Sequence, residues 1–473
     1  MEVMAMGIGW ESSVRGLASR VCGHAKGHAI LSRRRSPYRI LAVCLLIGYL
    51  LASAAYMWLS ALWITGSHPH FRVVDLLVPR ANDVVIFTFF LVVGASVGSF
   101  LNVVVWRLPQ RLNVNGHSFC PRCRNRLRAR DNVPIFGWLW LSGRCRDCRL
   151  PISSRYPIVE TLVGITFALV GSTELTRWSL PYFGDSVRTN WMSTPIVDAD
   201  LLTLILYHVV ALATTWAMGL IRFDGNALPS RLTLFAAITL LGGMFAFPQA
   251  MVVPWQLVGE SMPAGIGTWP PSGWMTTGAD WSVRLVQIGL RLLTSLVAAG
   301  FFARVLAKSF CPSADMKMDP LGSSTKRLID LMILIAVPAI VVGWQAVMGV
   351  ILLAAIFAKI LGMCEFAQLR DSLGRFAVSL PVATSVQWLL WRGLVASHVW
   401  PSEQASQVGL IVSFFGVLTI PLWLDENGES FPPMGDESGN GGVSDHFDED
   451  VREAQASRKD PDALQQGDSF ELN

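Results

Sequence analysis

Long apolar blocks, separated by short polar or basic segments, fill most of the first 424 residues. About 20 apolar residues are enough to cross the hydrocarbon core of a bilayer as a helix, and a spanning segment must satisfy its own backbone hydrogen bonds. The predicted spans are residues 39–64, 83–105, 156–172, 200–221, 232–252, 283–306, 328–343, 345–363, 376–398 and 407–424. The pattern therefore predicts an all-α, polytopic membrane helix bundle of roughly 8–10 spans.

Composition supports this prediction and distinguishes the carboxyl-terminal segment from the rest of the chain. Of the 473 residues, 52% are hydrophobic and only 15% are charged, against about 25% charged in soluble domains. The first apolar block is longer than the core of a signal peptide, so it predicts a span. Residues 425–473 carry 14 acids against three basic residues. Because this segment has few apolar residues, it predicts an acidic disordered tail.

Arginine distribution predicts the orientation in the membrane. Arg33, Arg34 and Arg35 precede the first span, and the loop 107–155 has eleven Arg, no Lys and two acids. Residues 253–281 have no Lys or Arg. Since cytoplasmic loops carry an excess of basic residues, the N-terminus and the loop 107–155 should be cytoplasmic and residues 253–281 should lie outside.

Two CxxC pairs, Cys120/Cys123 and Cys145/Cys148, lie in this basic loop. Four thiolates from two such pairs close a tetrahedral Zn²⁺ site with no open position, which makes a structural zinc the predicted ligand. A reducing cytoplasm argues against a disulfide framework. The alternatives are two redox CxxC motifs or unpaired thiols. A zinc here would fold a loop that cannot build its own core.

Two stretches that flank the cysteines resemble the type IV prepilin peptidases. They are GASVGSFLNVVVWRLPQR at residues 94–111 and CRDCRLPISSRYPIVETLVG at residues 145–164. In that family, a span ending in GSFLNV and RLP is followed by two CxxC pairs, an RYP segment and a Glu in the next span, which is Glu160 here. The resemblance covers about 80 residues.

The resemblance implies a bilayer aspartic endopeptidase that cuts basic leaders from type IV prepilins and pseudopilins at the cytoplasmic face. Many members then N-methylate the new amino terminus, for which S-adenosylmethionine would be a further cofactor. It implies a location in the plasma (inner) membrane, with leader peptides and membrane lipid as partners and no nucleic acid.

The family's first catalytic aspartate lies seven residues before the proline of a conserved turn. The corresponding segment here is IRFDGNALPSRLTL, residues 221–234, and the count places Arg222 at that position. Asp224 is the acid within reach. Because two positions turn a helix by about 200°, a shift to Asp224 displaces the side chain substantially.

The second aspartate position depends on which anchor is used. Counting back from Gly343-Trp344 reaches Leu331, next to Asp330, whereas the anchor Lys326 places Ser324 there. We therefore predict Asp224 and Asp330 as the catalytic dyad of a leader peptidase. The alternative is an inactive homologue that binds prepilins or pilus and secretion machinery without cleavage. Asp319 is a further acid near this face.

Other polar or small residues of the motif have two interpretations. Gly94, Gly98 and Ser99 are typical of close helix packing in membranes. Asn102 and Glu160 are functional candidates because they are polar and within or beside spans. Both lie near the span ends, however, where a polar side chain reaches water at little cost in free energy and needs no functional explanation. The arginines of the loop either fix the topology and meet anionic lipid or contact the substrate.

These observations divide the chain into five predicted segments. They are a basic N-terminus with an extra span (1–82), a prepilin-peptidase N-terminal module (83–172) that contains the zinc loop 107–155, an aspartic-peptidase-like membrane module (200–363), extra spans (364–424) and the acidic tail (425–473).

Overall fold

A computed structural model describes residues 37–120, 123, 125–175, 199–246, 281–311, 323–364, 371–402 and 405–424. The basic N-terminus, nearly all of the predicted outer loop 253–281, Asp319 and the acidic tail lie outside these residues. The described helices all belong to one compact unit, Met1–Asp425.

The described residues form helices, with two isolated β-bridges and no β-strand. The helices are α1 (Pro37–Ser67), α2 (Val73–Arg107), α3 (Phe136–Trp140), α4 (Arg155–Leu175), α5 (Ala199–Phe223), α6 (Ser230–Ala246), α7 (Trp281–Phe310), α8 (Ser323–Val342), α9 (Val347–Gly362), α10 (Ser372–Leu389), α11 (Trp391–Ala396) and α12 (Gln407–Trp423). The predicted all-α class is confirmed.

A helix lies at each of the ten predicted spans, but the helices differ in how well they could cross a bilayer. Five are long and apolar enough, namely 37–67, 73–107, 155–175, 201–223 and 288–310, and α6, α9 and α12 are shorter apolar helices. The second helix begins ten residues before the predicted residue 83. At about 1.5 Å per residue its 35 residues are longer than a bilayer core is thick, so its first turns extend past the hydrocarbon.

Helices α2 and α4 pack closely because glycines line their contact. A Cβ on Gly94 would lie 2.5 Å from the Cβ of Phe167, and one on Gly98 would lie 2.9 Å from the Cα of Glu160. From the opposite helix, a Cβ on Gly171 would lie 2.3 Å from the ring of Phe90. The packing interpretation of Gly94 and Gly98 is confirmed, and the contact fixes the two helices that flank the cysteine loop.

A buried arginine on α7 caps the end of α8 inside the helix bundle. Arg291 on α7 is 2% exposed and donates from Nε to the carbonyl of Ile340 (3.0 Å) and from Nη2 to that of Val341 (2.7 Å). These carbonyls end α8 and have no partner inside their own helix. The guanidinium also lies at the negative end of the helix dipole, so the arginine caps α8 at the turn that contains Gly343.

The first helix lies on the outside of the bundle. It packs on α2, where Tyr49 bonds to Thr88 and the hydroxyl of Tyr56 donates to Asp83 at 3.1 Å. Most of its apolar side chains are exposed, including Leu50. A helix with this surface is suited to lipid contact over most of its circumference.

The α2–α4 contact makes a testable prediction about stability. Gly94→Ala should lower the melting temperature, with a cost of roughly 1–3 kcal/mol, because the new methyl overlaps Phe167. Gly242→Ala is the matched control, since its Cβ would meet nothing within 4 Å, and its effect should stay within about 1 kcal/mol. Thermal unfolding of both purified variants in detergent checks this, and equal melting temperatures would contradict the packing.

Candidate functional site

The four cysteines of the two CxxC pairs come together in the loop between α2 and α4. Their sulfur atoms all lie within 4.8 Å of one another. The Sγ of Cys120 is 3.9 Å from that of Cys148, and the Sγ of Cys123 is 4.0 Å from that of Cys145. Zinc–sulfur bonds of about 2.3 Å in a tetrahedron require sulfurs about 3.8 Å apart. The cluster therefore has the geometry of a closed four-thiolate metal site.

The two pairs are held by similar local structures. The amide of Cys120 donates to the carbonyl of Asn125, and that of Cys145 to the carbonyl of Leu150, both at 2.9 Å. An antiparallel bridge lies beside each pair, and Arg149, directly after the second pair, has a φ of +60°. The sharp reversal after each CxxC aims both thiols inward, which explains why the sequence spacing produces one site.

The neighbouring thiols make Cys123 harder to ionise. A hydrogen bond with the Asn125 backbone lowers the pKa of Cys123, but burial and the three neighbouring thiols together raise it to about 11. A divalent cation would reverse this, because a coordinated thiol is deprotonated.

Polar contacts tie the loop to itself. Arg146 bonds to Asp131 through two hydrogen bonds, one of 2.8 Å from Nε, and the Arg146 guanidinium holds the pKa of the Asp131 carboxyl below its usual range. The side chain of Arg107 donates to four loop carbonyls, those of Asn113, Val114, Asn115 and His117. The loop is therefore ordered around the cysteines rather than by an apolar core.

Glu160 joins the loop to the membrane bundle. Its Oε2 accepts a 2.6 Å hydrogen bond from the amide of Ile135, a β-branched residue with a φ of +63°. This backbone conformation is rare for such a residue and needs a partner to hold it. Asn102 donates to the carbonyl of Tyr156 at 3.4 Å. Both polar residues thus contact backbone, and Glu160 positions the start of α3.

Asp224 lies just after the end of α5 and is paired with an arginine from another helix. Both of its carboxylate oxygens accept from Arg155, at 2.6 and 2.8 Å. Arg155 begins α4, immediately after the cysteine loop. The pair therefore fastens the loop's exit to the α5–α6 turn, in a two-pronged geometry that is the strongest form of carboxylate–guanidinium contact.

Asp330 lies in the third turn of α8 and is buried. Its two oxygens accept from the amide of Leu228 at 3.4 and 3.3 Å, and Oδ2 is 3.5 Å from Nη1 of Arg222. The structure thus brings Asp330 against the same α5–α6 turn that Asp224 begins. Leu331, the alternative position, is buried in the apolar core, and Ser324 is buried near the helix start.

A third carboxylate, Asp371, joins Arg222 and Asp330. Its Oδ1 caps α10 by accepting from the amide of Gly374 at 2.9 Å. Its Oδ2 lies 3.4 Å from Nη2 of Arg222 and 3.1 Å from Nη2 of Arg327. Two arginines and two aspartates, from α5, α8 and the start of α10, form one cluster with balanced charge, which we call the Arg222 cluster.

Arg222 is the centre of this cluster. It bridges both aspartates and also donates from Nη1 to the carbonyl of Asn226 at 3.0 Å. Each of these two carboxylates thus meets a guanidinium rather than a second acid in these contacts. Two acids that share a proton need the opposite arrangement, in which like charges repel.

Sequence reasoning missed several partners in and near this site. Arg155 and Asp371 were not singled out, because their contacts join residues 69 and 149 positions apart. A buried pair of Glu174 on α4 and His208 on α5 was missed too. The sequence did contain a signal for them. All four are polar residues in or beside apolar blocks, and such residues are functional candidates by default.

Comparison with known proteins agrees with this architecture. Residues 92–173 match the family model described as the Bacterial Peptidase A24 N-terminal domain. This range contains the end of α2, the four cysteines and nearly all of α4. No solved structure matches the chain.

Several characterised relatives are named for the processing of prepilins. A prepilin leader peptidase/N-methyltransferase of Klebsiella pneumoniae is 33% identical over 175 residues, 36% of this chain and 73% of the relative. A type 4 prepilin-like proteins leader peptide-processing enzyme of Escherichia coli O78:H11 is 36% identical over 176 residues, 33% of this chain and 62% of the relative. A Myxococcus xanthus relative is 50% identical over 80 residues, 17% of this chain and 24% of the relative.

The alignments leave part of each side unmatched. The matched region spans about three fifths of the length of the Escherichia coli relative and of a Neisseria gonorrhoeae relative, but nearly three quarters of the Klebsiella one. The match to the Klebsiella relative, together with the closed four-cysteine loop between α2 and α4, shows that the chain belongs to the prepilin leader peptidase/N-methyltransferase family.

Proposed function

We propose that this chain binds the basic leaders of type IV prepilins or pseudopilins at the cytoplasmic face of the inner membrane and holds them without cutting them. The proposal starts from the family, whose relatives are named as leader peptidases. It departs from cleavage because of one observation, the guanidinium of Arg222 between Asp330 and Asp371.

Cleavage by an aspartic peptidase needs one ionised carboxylate to activate water and one protonated carboxyl group to protonate the product. In this chain Asp224 is paired through both oxygens with Arg155, and Asp330 faces Arg222. Both carboxylates are therefore already bound by arginines. The arrangement supports recognition more than chemistry.

The second candidate is an active leader peptidase with Asp224 and Asp330 as its dyad. One observation favours it: the amide of Leu228, four residues after Asp224, donates to Asp330. The two acids therefore belong to the same turn region, and a local rearrangement that frees them from Arg155 and Arg222 would let them act together. N-methylation with S-adenosylmethionine follows only from the family.

We also propose that the four cysteines hold one structural Zn²⁺. The sulfur separations fit a tetrahedral site, and all four positions would be filled by protein. The zinc would supply folding energy to the loop, while Glu160 and Arg155 would transmit its position to the bundle. It would leave no position open for substrate.

The zinc proposal predicts one zinc per purified chain. Cys120→Ser combined with Cys145→Ser should lose the metal and increase proteolysis within residues 107–155, because the loop depends on the site for its order. Cys44→Ser combined with Cys364→Ser is the matched control, since neither thiol belongs to the cluster. Elemental analysis and limited proteolysis measure both effects. A zinc-free intact protein would contradict the proposal.

The orientation predicts a labelling pattern in intact cells. Single cysteines introduced at exposed positions of the loop 107–155 and at Gly225 should resist a membrane-impermeant thiol reagent, because both segments should face the cytoplasm. A cysteine introduced at Thr268 should react. Mass-shift labelling before and after permeabilisation measures this pattern. Labelling near Gly225 in intact cells would place the loop and the α5–α6 turn on opposite sides of the membrane, and the two could then not form one site.

The functional proposal predicts that wild-type protein co-purifies with a co-expressed prepilin from the same organism that still carries its leader. Gel mobility of the prepilin reports cleavage, and pull-down reports binding. Asp147→Asn removes an exposed acid in the loop and serves as the control for the variants Asp224→Asn and Asp330→Asn.

Other outcomes assign the function differently. If wild type cuts the leader and Asp224→Asn and Asp330→Asn each lower cleavage by roughly 10²- to 10⁴-fold, the second candidate is correct. Cleavage that survives both changes would reject both carboxylates as the dyad. Absence of binding and of cleavage would reject the prepilin as partner.

A further inference from the structure

Exposed aromatic side chains surround one end of the bundle. Tyr38 in the first turn of α1 is 41% exposed, Trp106 in the last turn of α2 is 38% exposed, and Tyr156 in the first turn of α4 is 42% exposed. Helices α1, α2 and α4 run in alternating directions, so these three turns lie at the same end. Tyr and Trp concentrate where a membrane helix leaves the hydrocarbon, because their rings have an apolar body and a polar edge.

The short helix α3 of the cysteine loop continues this belt. Trp140 is 58% exposed and Phe136 is 44% exposed, as is Val133 just before the helix at 46%. We call these three residues the α3 patch. In a membrane protein, aromatic and aliphatic side chains this exposed are suited to contact with lipid, and none of the three is buried against the described part of the bundle.

Contacts with α1 fix the depth of the α3 patch. The Nε of Arg39 donates to the carbonyl of Trp140 at 3.2 Å, and its guanidinium carbon lies 5.7 Å from the centre of the Trp140 ring. The ring of Tyr38 meets Trp138 edge-on, with centres 5.3 Å apart. The exposed apolar run of α1 begins at Ile40, directly after these two residues. The patch is therefore level with the first turn of α1, where the exposed apolar run of that helix begins.

The positive charge around the α3 patch indicates which kind of surface it can bind. The loop carries eleven arginines against two acids, and Arg39 is exposed beside Trp140. Basic residues near a bilayer each add about 1 kcal/mol of attraction to anionic lipid. A basic peptide would meet repulsion at the same surface.

We propose that the α3 patch is a membrane-docking surface, in which Phe136 and Trp140 insert among the anionic phospholipids of the leaflet that the cysteine loop faces. Arg39 binds the headgroup phosphates beside Trp140. The cysteine loop is then fixed on three sides, by Glu160 and Arg155 to the bundle and by the α3 patch to the lipid. This docking does not depend on whether the chain binds or cuts prepilins.

Photo-crosslinking tests the insertion. Benzoylphenylalanine replaces Trp140 or, in a second protein, Phe136, in full-length protein reconstituted into phosphatidylcholine vesicles with about a third phosphatidylglycerol. Asn125, which is exposed on the first cysteine turn, is the water-facing control, and Leu51, which is 66% exposed on α1, is the lipid-facing one. We expect lipid adducts by mass spectrometry at positions 140, 136 and 51 and none at 125.

The preference for anionic lipid has its own test. With benzoylphenylalanine at position 136, Arg39→Gln should lower the ratio of phosphatidylglycerol to phosphatidylcholine adducts by about fivefold, which corresponds to the loss of one basic residue at the surface. Asn125→Gln is the matched control and should leave the ratio unchanged.

Three results would overturn the docking surface. The first is an absence of lipid adducts at 136 and 140 while position 51 reacts. The second is equal lipid labelling at 125, which would mean that the whole loop collapses onto the vesicle. The third is replacement of lipid adducts by peptide adducts when a synthetic prepilin leader is added, which would assign the patch to substrate. An unchanged lipid ratio in Arg39→Gln would reject the role of Arg39.

Discussion

The arrangement at the end of the bundle that carries the α5–α6 turn depends on the Arg222 cluster. Arg222, Arg327, Asp330 and Asp371 join the end of α5 to the starts of α8 and α10, and Arg327 also donates to the carbonyl of Phe310 at the end of α7. Taking charges out of water costs several kcal/mol per ion, and the attraction between opposite charges in the cluster offsets that cost. The cluster is balanced, with two positive and two negative groups. Removing one member would leave an uncompensated charge in a largely buried site.

The cluster also explains why the α5–α6 turn has its shape. Gly225 has a φ of +81°, which a glycine adopts without cost, and the turn folds back so that Asn226 accepts from Arg222 and Leu228 donates to Asp330. Asp224, at the start of the same turn, pairs with Arg155. One turn thus connects the charge cluster to the first residue after the cysteine loop. The loop and the candidate acids form a continuous polar network across α4, α5 and α8.

Much of this architecture could be predicted from the sequence, because it depends on local patterns. The helices at the ten predicted spans follow from apolar run length, and the cysteine cluster follows from CxxC spacing. The start of α2 could not be located, because Asp75, Arg80 and Asp83 interrupt the apolar run although the backbone continues as a helix. The ion pairs could not be predicted either. Arg222 meets Asp371 across 149 residues, and nothing in the spacing of either residue indicates the other.

Arg222 lies where the family pattern has an aspartate. This arginine removes one carboxylate and also changes the charge balance of the cluster. With an aspartate in place of Arg222, the cluster would hold three carboxylates and only Arg327 as a cation. A buried site with two excess negative charges lowers its free energy by taking up protons, which is the condition that a shared-proton dyad requires. With arginine, two cations face two carboxylates, so the charges of the four groups balance. The charge at residue 222 therefore decides whether these helix ends carry excess negative charge or a balanced set of ion pairs.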